Sequence, residues 1–198
     1  MYPLESMGIR KARKSLVSMV SGNVLEVGSG TGVNIGLYDF DKIDSLILSD
    51  RKLSKKLKKV SMDKVTLKQI DVTSLPFEDN TFDVVICNHV LEHVDDSHKV
   101  MTEFYRVMRP GGWGIFQVPI DTNNPNTEVD KSVTDPKERE RLYWQDDHLR
   151  LFGLDYGKKL EAAGFKVTES DFINELDPKL VERYALPKDE IVYFCEKI

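Results

Sequence analysis

The stretch Asn23 to Gly32, NVLEVGSGTG, constrains the fold of this chain more than any other. A short apolar run, Val24-Leu25 then Val27, is interrupted by one acid, Glu26, and breaks into glycines at Gly28, Gly30 and Gly32. Such a run, bounded by glycines, predicts a buried parallel strand turning sharply into a helix. Glycine in the turn permits positive φ and lets a ligand approach the backbone without meeting a Cβ. The helix start beyond it offers N–H groups that have no partner inside the helix. The spacing also excludes something. A dinucleotide turn needs Gly-x-Gly-x-x-Gly, and Val33 stands where the third glycine belongs. That speaks against a nicotinamide-type dehydrogenase.

Two carboxylates follow at strand ends. Ser45 to Asp50 reads as a second apolar strand closing on an acid, and Asp50 lies where a nucleotide-type fold places the carboxylate for ribose hydroxyls. A carboxylate only accepts, so two hydroxyl donors meet two oxygens in charge-assisted bonds. Val65 to Ile70 reads as a third strand running into Asp71-Val72. Phe82 to Cys87 reads as a fourth, exiting into Asn88-His89-Val90-Leu91-Glu92-His93. A helix over Val100 to Met108 presents Met101, Phe104, Tyr105 and Met108 as a core stripe. Arg109-Pro110-Gly111-Gly112 then turns into a fifth strand, Trp113 to Val118, with Pro119 at its end.

Glu26-x-Gly28-x-Gly30-x-Gly32 resembles the first motif of the Rossmann-like S-adenosylmethionine-dependent methyltransferases. Leu75-Pro76-Phe77, Phe82-Asp83-Val84-Val85, His89-Val90-Leu91-Glu92-His93 and Arg109-Pro110-Gly111-Gly112 resemble consecutive motifs of the family often called type 11. Together they run from residue 23 to about 120. Shorter pieces, among them Asp147-His148-Leu149-Arg150 and Ala163-Gly164-Phe165, look like a subgroup of uncharacterised bacterial members. The resemblance implies an α/β, Rossmann-like three-layer sandwich: a seven-stranded, mostly parallel sheet with an antiparallel last strand. It implies S-adenosyl-L-methionine as cofactor, with Gly28, Gly30 and Gly32 shaping the turn and Glu26 orienting it. Asp50 would hold ribose, Asp71 with the Val72 amide would hold adenine, and Asn88 and His89 would touch the cofactor at the strand-4 exit.

Length and composition fit this reading. At 198 residues a single domain is expected, with an N-terminal helix within residues 1–22. Net charge is -5, which argues against a nucleic-acid partner. The basic runs at Arg10 to Lys14 and Arg51 to Lys59 read as solvated helix faces, the second burying Leu53 and Leu57. Cys87 and Cys195 sit in apolar strand-like runs without metal-ligand spacing and read as buried thiols. No segment is apolar enough to cross a membrane and no signal-peptide core is evident, so a cytoplasmic protein is expected.

Residues 120–150 break the strand–helix rhythm. They carry the loop Asp121 to Asn126, a short helix at Asp135 to Tyr143 opened by Pro136, and a polar cluster around Gln145 to Arg150. A long insertion at strand carboxyl ends lines the ligand crevice, so this segment is expected to be an acceptor-site lid. A helix at Leu154 to Ala163, a strand at Phe165 to Thr168, a short helix at Pro178 to Tyr184 and a last strand at Ile191 to Glu196 complete the chain.

A proton acceptor for methyl transfer to a hydroxyl or ammonium is sought among four histidines. His148, preceded by two acids, is the leading candidate as base or acceptor ligand, and His89 lies at the crevice. His93 reads as packing and capping, His98 as surface. Asp146, Asp147 and His148 are adjacent and chelate poorly, so no metal is expected. The strand-4 exit lacks the Asn/Asp-Pro-Pro-aromatic signature, which lowers DNA adenine and glutamine as acceptors. The expectation is a methyltransferase acting on a small-molecule or glycan-like acceptor, of unknown oligomeric state. The alternative is a non-catalytic cofactor-binding module acting through a protein partner.

Overall fold

The computed structural model describes residues 16–171, 174, 178–183 and 191–198. Among these, seven strands form one sheet: β1 (Gly22–Val27), β2 (Ile43–Asp50), β3 (Val65–Gln69), β4 (Phe82–Asn88), β5 (Met108–Gln117), β6 (Lys166–Ser170) and β7 (Val192–Glu196). Their spatial order is β3–β2–β1–β4–β5–β7–β6. β1 runs parallel to β2 and β4, β2 to β3, and β4 to β5, whereas β7 is antiparallel to both β5 and β6. The order reverses between β1 and β4. An open α/β sheet places its ligand crevice at the carboxyl ends beside such a switch point.

The central strand is buried on both faces. Leu25 and Val27 join a core with Val85, Cys87, Phe104, Phe116, Tyr156 and Leu160. Val24 packs on the opposite face with Val20, Leu37, Leu46, Leu48, Leu57, Val84 and Ile86. The first face is covered by α1 (Ser97–Val107) and α3 (Tyr156–Ala162). Asp96 caps α1 by accepting from the Lys99 N–H at 2.9 Å, so the helix begins a turn before its apolar stripe. The short α2 (Pro136–Tyr143) starts with Pro136 and is capped by Asp135, and α4 (Pro178–Arg183) precedes β7.

On the opposite face the connections are minimal. A single 3-10 turn, Ile35–Leu37, joins β1 to β2, and another, Leu57–Lys59, joins β2 to β3. The helix expected over Arg51 to Lys59 is therefore corrected to one turn. Lys52, Lys55, Lys56 and Lys59 would lie three and four apart on a helix and repel. Ser54 instead accepts from the Leu57 N–H at 3.1 Å and donates to the Gly30 carbonyl at 2.8 Å, tying the segment to the glycine turn. Leu57 is buried all the same. The strands otherwise agree with expectation to within a few residues, β5 starting earliest relative to it because Arg109 to Gly112 bulges out between paired residues. Both cysteines are buried free thiols. Of the expected N-terminal helix, residues 1–15 lie outside the described residues, and Leu16-Val17 form its visible end.

Candidate functional site

A cavity of about 530 Å³ opens at the carboxyl ends of β1 to β4. Its walls include Val27-Gly28 after β1, Ser49-Asp50-Arg51 at β2, Ile70 to Thr73 after β3 and His89-Val90 after β4. The volume lies within the range of small-ligand sites.

The glycine turn is packed against the strand-4 exit. Gly28 has φ +71°, and a Cβ there would come within 2.4 Å of Val90 Cγ2. Gly30 donates its N–H to Asp50 Oδ2 at 3.0 Å, and Asp50 Oδ1 accepts from the Lys52 N–H at 3.1 Å. A Cβ at Gly32 would lie 2.6 Å from Ile35 Cδ1 and 2.9 Å from Leu57 Cδ1, so the part this glycine plays is packing. Glu26 is buried behind the turn. Its carboxylate accepts from Tyr38 Oη at 2.5 Å and Asn34 Nδ2 at 3.2 Å, binding β1 to the segment after the turn. Burial, then the Glu26 charge, pushes the Tyr38 hydroxyl well above its usual pKa.

Asp71 Oδ1 accepts from both the backbone N–H and the hydroxyl of Thr73, at 2.9 and 2.8 Å, and these bonds hold its carboxyl below the usual range. The loop behind it is pinned to α1: Glu103 accepts from the Leu75 N–H, and Arg106 donates to the carbonyls of Leu75 and Phe77. Val72 is buried beneath Asp71 and lines the cavity.

The strand-4 exit is a turn, with His89 in the left-handed region at φ +54°. Its Nδ1 lies 3.2 Å from Oε1 of the buried Glu92. Asn88 is exposed at the end of β4, pairs with Gln117, and is outside the cavity wall. His148 is buried and also outside that wall. Its Nδ1 donates to the Tyr143 carbonyl at 2.7 Å, and its ring packs edge-on against His93 at 4.8 Å between centroids. His98 is exposed, as expected.

Gly28, Asp50, Asp71, Val72 and His89 thus converge on one cavity, while Glu26, Gly30 and Gly32 support it from behind. Residues 120–150 contribute Asp147 to the wall. Burial raises the Asp147 pKa, but its hydrogen bond with Gln145 and the nearby His93 outweigh this and hold it below the usual range. Sequence reasoning missed Arg51, Thr73, Val90, His93 and Asp147 as wall residues. For Arg51 and Thr73 the signal was adjacency to the strand-end acids; for His93 and Asp147 it was tertiary and not local.

Residues 25–116 match the family model described as a methyltransferase domain. Over these residues, just under half of the chain, the sequence is similar to that methyltransferase domain. The chain is 33% identical over 113 residues to the ubiquinone/menaquinone biosynthesis C-methyltransferase UbiE of Desulfotalea psychrophila, covering 55% of this chain and 45% of that one. It is 32% identical over 108 residues to a phosphatidylethanolamine N-methyltransferase of Cereibacter sphaeroides, covering 52% and 53%. The chain thus spans about half the length of these curated relatives. Its fold is that of an S-adenosylmethionine-dependent methyltransferase from Mesorhizobium loti, with a TM-score of 0.70 at 16% identity over 98% of this chain and 100% of the other. Among the described residues, no helix is long and apolar enough to cross a membrane.

Proposed function

We propose that this chain binds S-adenosylmethionine in the β1–β4 cavity and transfers its methyl group to a small-molecule acceptor. The observation that carries the reading is the convergence of Gly28, Asp50 and Asp71, at the ends of three neighbouring strands, on one cavity at the switch point. The cavity fits the cofactor's chemistry: a glycine turn in which Gly28 lines the wall, and two carboxylates beside it.

When bound, the cofactor supplies a methyl on a sulfonium, activated for in-line displacement. The chain's residues position and exchange protons. Asp50 accepts from the ribose hydroxyls, and its bond from the Gly30 N–H keeps it aimed across the turn. Asp71, held by Thr73, accepts from the adenine amino group, and the Val72 amide serves the ring. His89 is the proton acceptor. With Nδ1 donating to Glu92, Nε2 is the basic atom. The leading role given to His148 passes to His89, because His148 is buried behind His93 and acts as a positioning residue. Residues 120–150 form the acceptor side of the cleft through Asp147. The relatives methylate carbon in one case and nitrogen in the other, so the acceptor atom is left to screening; a glycan-like acceptor belongs in that screen.

The test is calorimetric titration with S-adenosylmethionine and S-adenosylhomocysteine, followed by an acceptor screen with labelled methyl donor. Micromolar binding with turnover of any acceptor supports the reading. Binding without turnover on a broad panel favours the non-catalytic module, and absence of binding removes both.

A further inference from the structure

We propose that Glu92, His93 and His148 form a divalent transition-metal site in the wall of the cleft. One ligand atom from each lies within 4.8 Å of the others. Two imidazoles and one carboxylate are a donor set that suits Zn²⁺ and its first-row neighbours, and it is poor in the oxygens that Mg²⁺ and Ca²⁺ require. Tetrahedral zinc would draw the donors in to roughly 3.3 Å from one another.

The cluster is finished in the way ligand sets are. His148 donates Nδ1–H to the Tyr143 carbonyl at 2.7 Å, which leaves Nε2 as its lone-pair nitrogen. His93 Nδ1 lies 3.4 Å from Asp147 Oδ2. Glu92 Oε1 lies 3.2 Å from His89 Nδ1. Each donor residue therefore has an outer partner that orients it. The second observation is independent of that arrangement. Glu92 is 1% exposed, and its Oε2 has no hydrogen-bond partner among the described residues. A buried carboxylate oxygen without a proton donor is costly and calls for a cation or a bound proton.

The topology explains why the set is invisible in sequence. Glu92 and His93 are consecutive, and His148 arrives from the far end of the 120–150 segment, where the Leu149 N–H donates to the Glu92 carbonyl at 2.9 Å. His93 lies in the cavity wall and the other two lie behind it, so the ion would be reached from the cleft. The site stands without the methyl-transfer reading. Resting on that reading is only its role: an open coordination position would take an acceptor oxygen and lower its pKa before attack.

The test strips the purified chain with a chelator and titrates it with Zn²⁺ by calorimetry and with Co²⁺ by visible absorption. The expected result is one tight equivalent, with Co²⁺ bands of low-symmetry nitrogen and oxygen ligation. Glu92→Gln and His148→Gln should weaken binding by about a hundredfold or more. Because those two side chains are buried, His93→Gln is the decisive variant: its side chain is 29% exposed, and it should lose the metal while melting at the temperature of the metal-free parent. Sub-stoichiometric binding by the parent, or unchanged affinity in His93→Gln, overturns the site. S-adenosylhomocysteine is titrated into the same samples. Cofactor binding without metal binding sinks this inference alone, and metal binding without cofactor binding sinks the proposed function alone.

Discussion

The backbone N–H of Gly30 donates to Oδ2 of Asp50 across 3.0 Å, so the glycine turn after β1 and the acid that ends β2 are one unit. The acid orders the turn before any ligand arrives. The same carboxylate is then positioned to accept from hydroxyl donors in the cavity.

Replacing Asp50 by Ala should weaken S-adenosylmethionine by about 1.5–3 kcal/mol, roughly ten- to a hundredfold. The far-ultraviolet spectrum should be unchanged, because Asp50 is only partly buried and its neighbours Leu48 and Ser49 carry the packing. Equal affinity in the variant, read by calorimetry, would place the pocket elsewhere.

Asp71 should discriminate the base. S-adenosylhomocysteine presents an amino group to it, and the inosine analogue presents a carbonyl. The parent should prefer the adenosine form by about 1 kcal/mol or more, and Asp71→Ala should erase most of that preference. A preference of the same size in both proteins would detach Asp71 from the base.

Gly28→Ala should lower the melting temperature and abolish cofactor binding. The left-handed backbone costs a side chain about 1–2 kcal/mol, and the new Cβ would meet Val90 Cγ2 at 2.4 Å. Combining it with Val90→Ala should recover part of the stability, since the clash goes while the φ penalty stays. No recovery in the double variant, measured by urea melts, would mean that backbone strain alone dominates.

His89 also occupies the left-handed region. His89→Gly relieves about 1 kcal/mol of backbone strain but takes the imidazole partner from the buried Glu92, so it should melt close to the parent. Turnover should fall by about a hundredfold if His89 takes the proton. A variant that keeps full turnover across pH 6 to 9 would remove it from that role.

Alkaline pH should destabilise the fold early. Tyr193 is buried, its hydroxyl has no partner among the described residues, and burial pushes its pKa up to about 12. Cys87, Cys195, Tyr38 and Tyr156 are raised too, by burial first. For each, the folded pKa exceeds the unfolded one. Their contribution is whole below the unfolded pKa and is lost as pH climbs through it toward the folded value. Unfolding free energies from urea melts should fall from about pH 9 upward, by up to about 1.4 kcal/mol per pH unit for each group titrating. Tyr193→Phe should flatten the fall and leave neutral stability equal or higher. A steeper fall in that variant would refute the assignment.

What the sequence disclosed and what it hid divide along local and tertiary causes. The strand ends at Asp50 and Asp71 were legible because an apolar run and its terminating acid are neighbours in the chain. The glycine turn was legible for the same reason. The helix expected after that turn is only the 3-10 turn Ile35–Leu37, because few residues separate Gly32 from β2. The helix expected at Arg51 to Lys59 failed because Leu53 and Leu57 alone set its period, while lysine repulsion and the Ser54 bonds to Gly30 and Leu57 decided the conformation. His148 read as a base or acceptor ligand within the polar cluster of the lid. Its burial depends on the Tyr143 carbonyl at the end of α2 and on the ring of His93, neither of which a local pattern reveals.

The two 3-10 turns that join β1 to β2 and β2 to β3 set an uneven distribution of local stability across the sheet. The connecting segments hold no full helix, so local opening should cost least in the loops at residues 28–42 and 51–64 that flank the buried β2, and amide hydrogens there should exchange first. A ligand gripping Gly28, Asp50 and Asp71 staples three strand ends at once. Its binding free energy would be spent in part on quieting that edge, and protection would spread from the pocket outward while the helix-backed half barely changes.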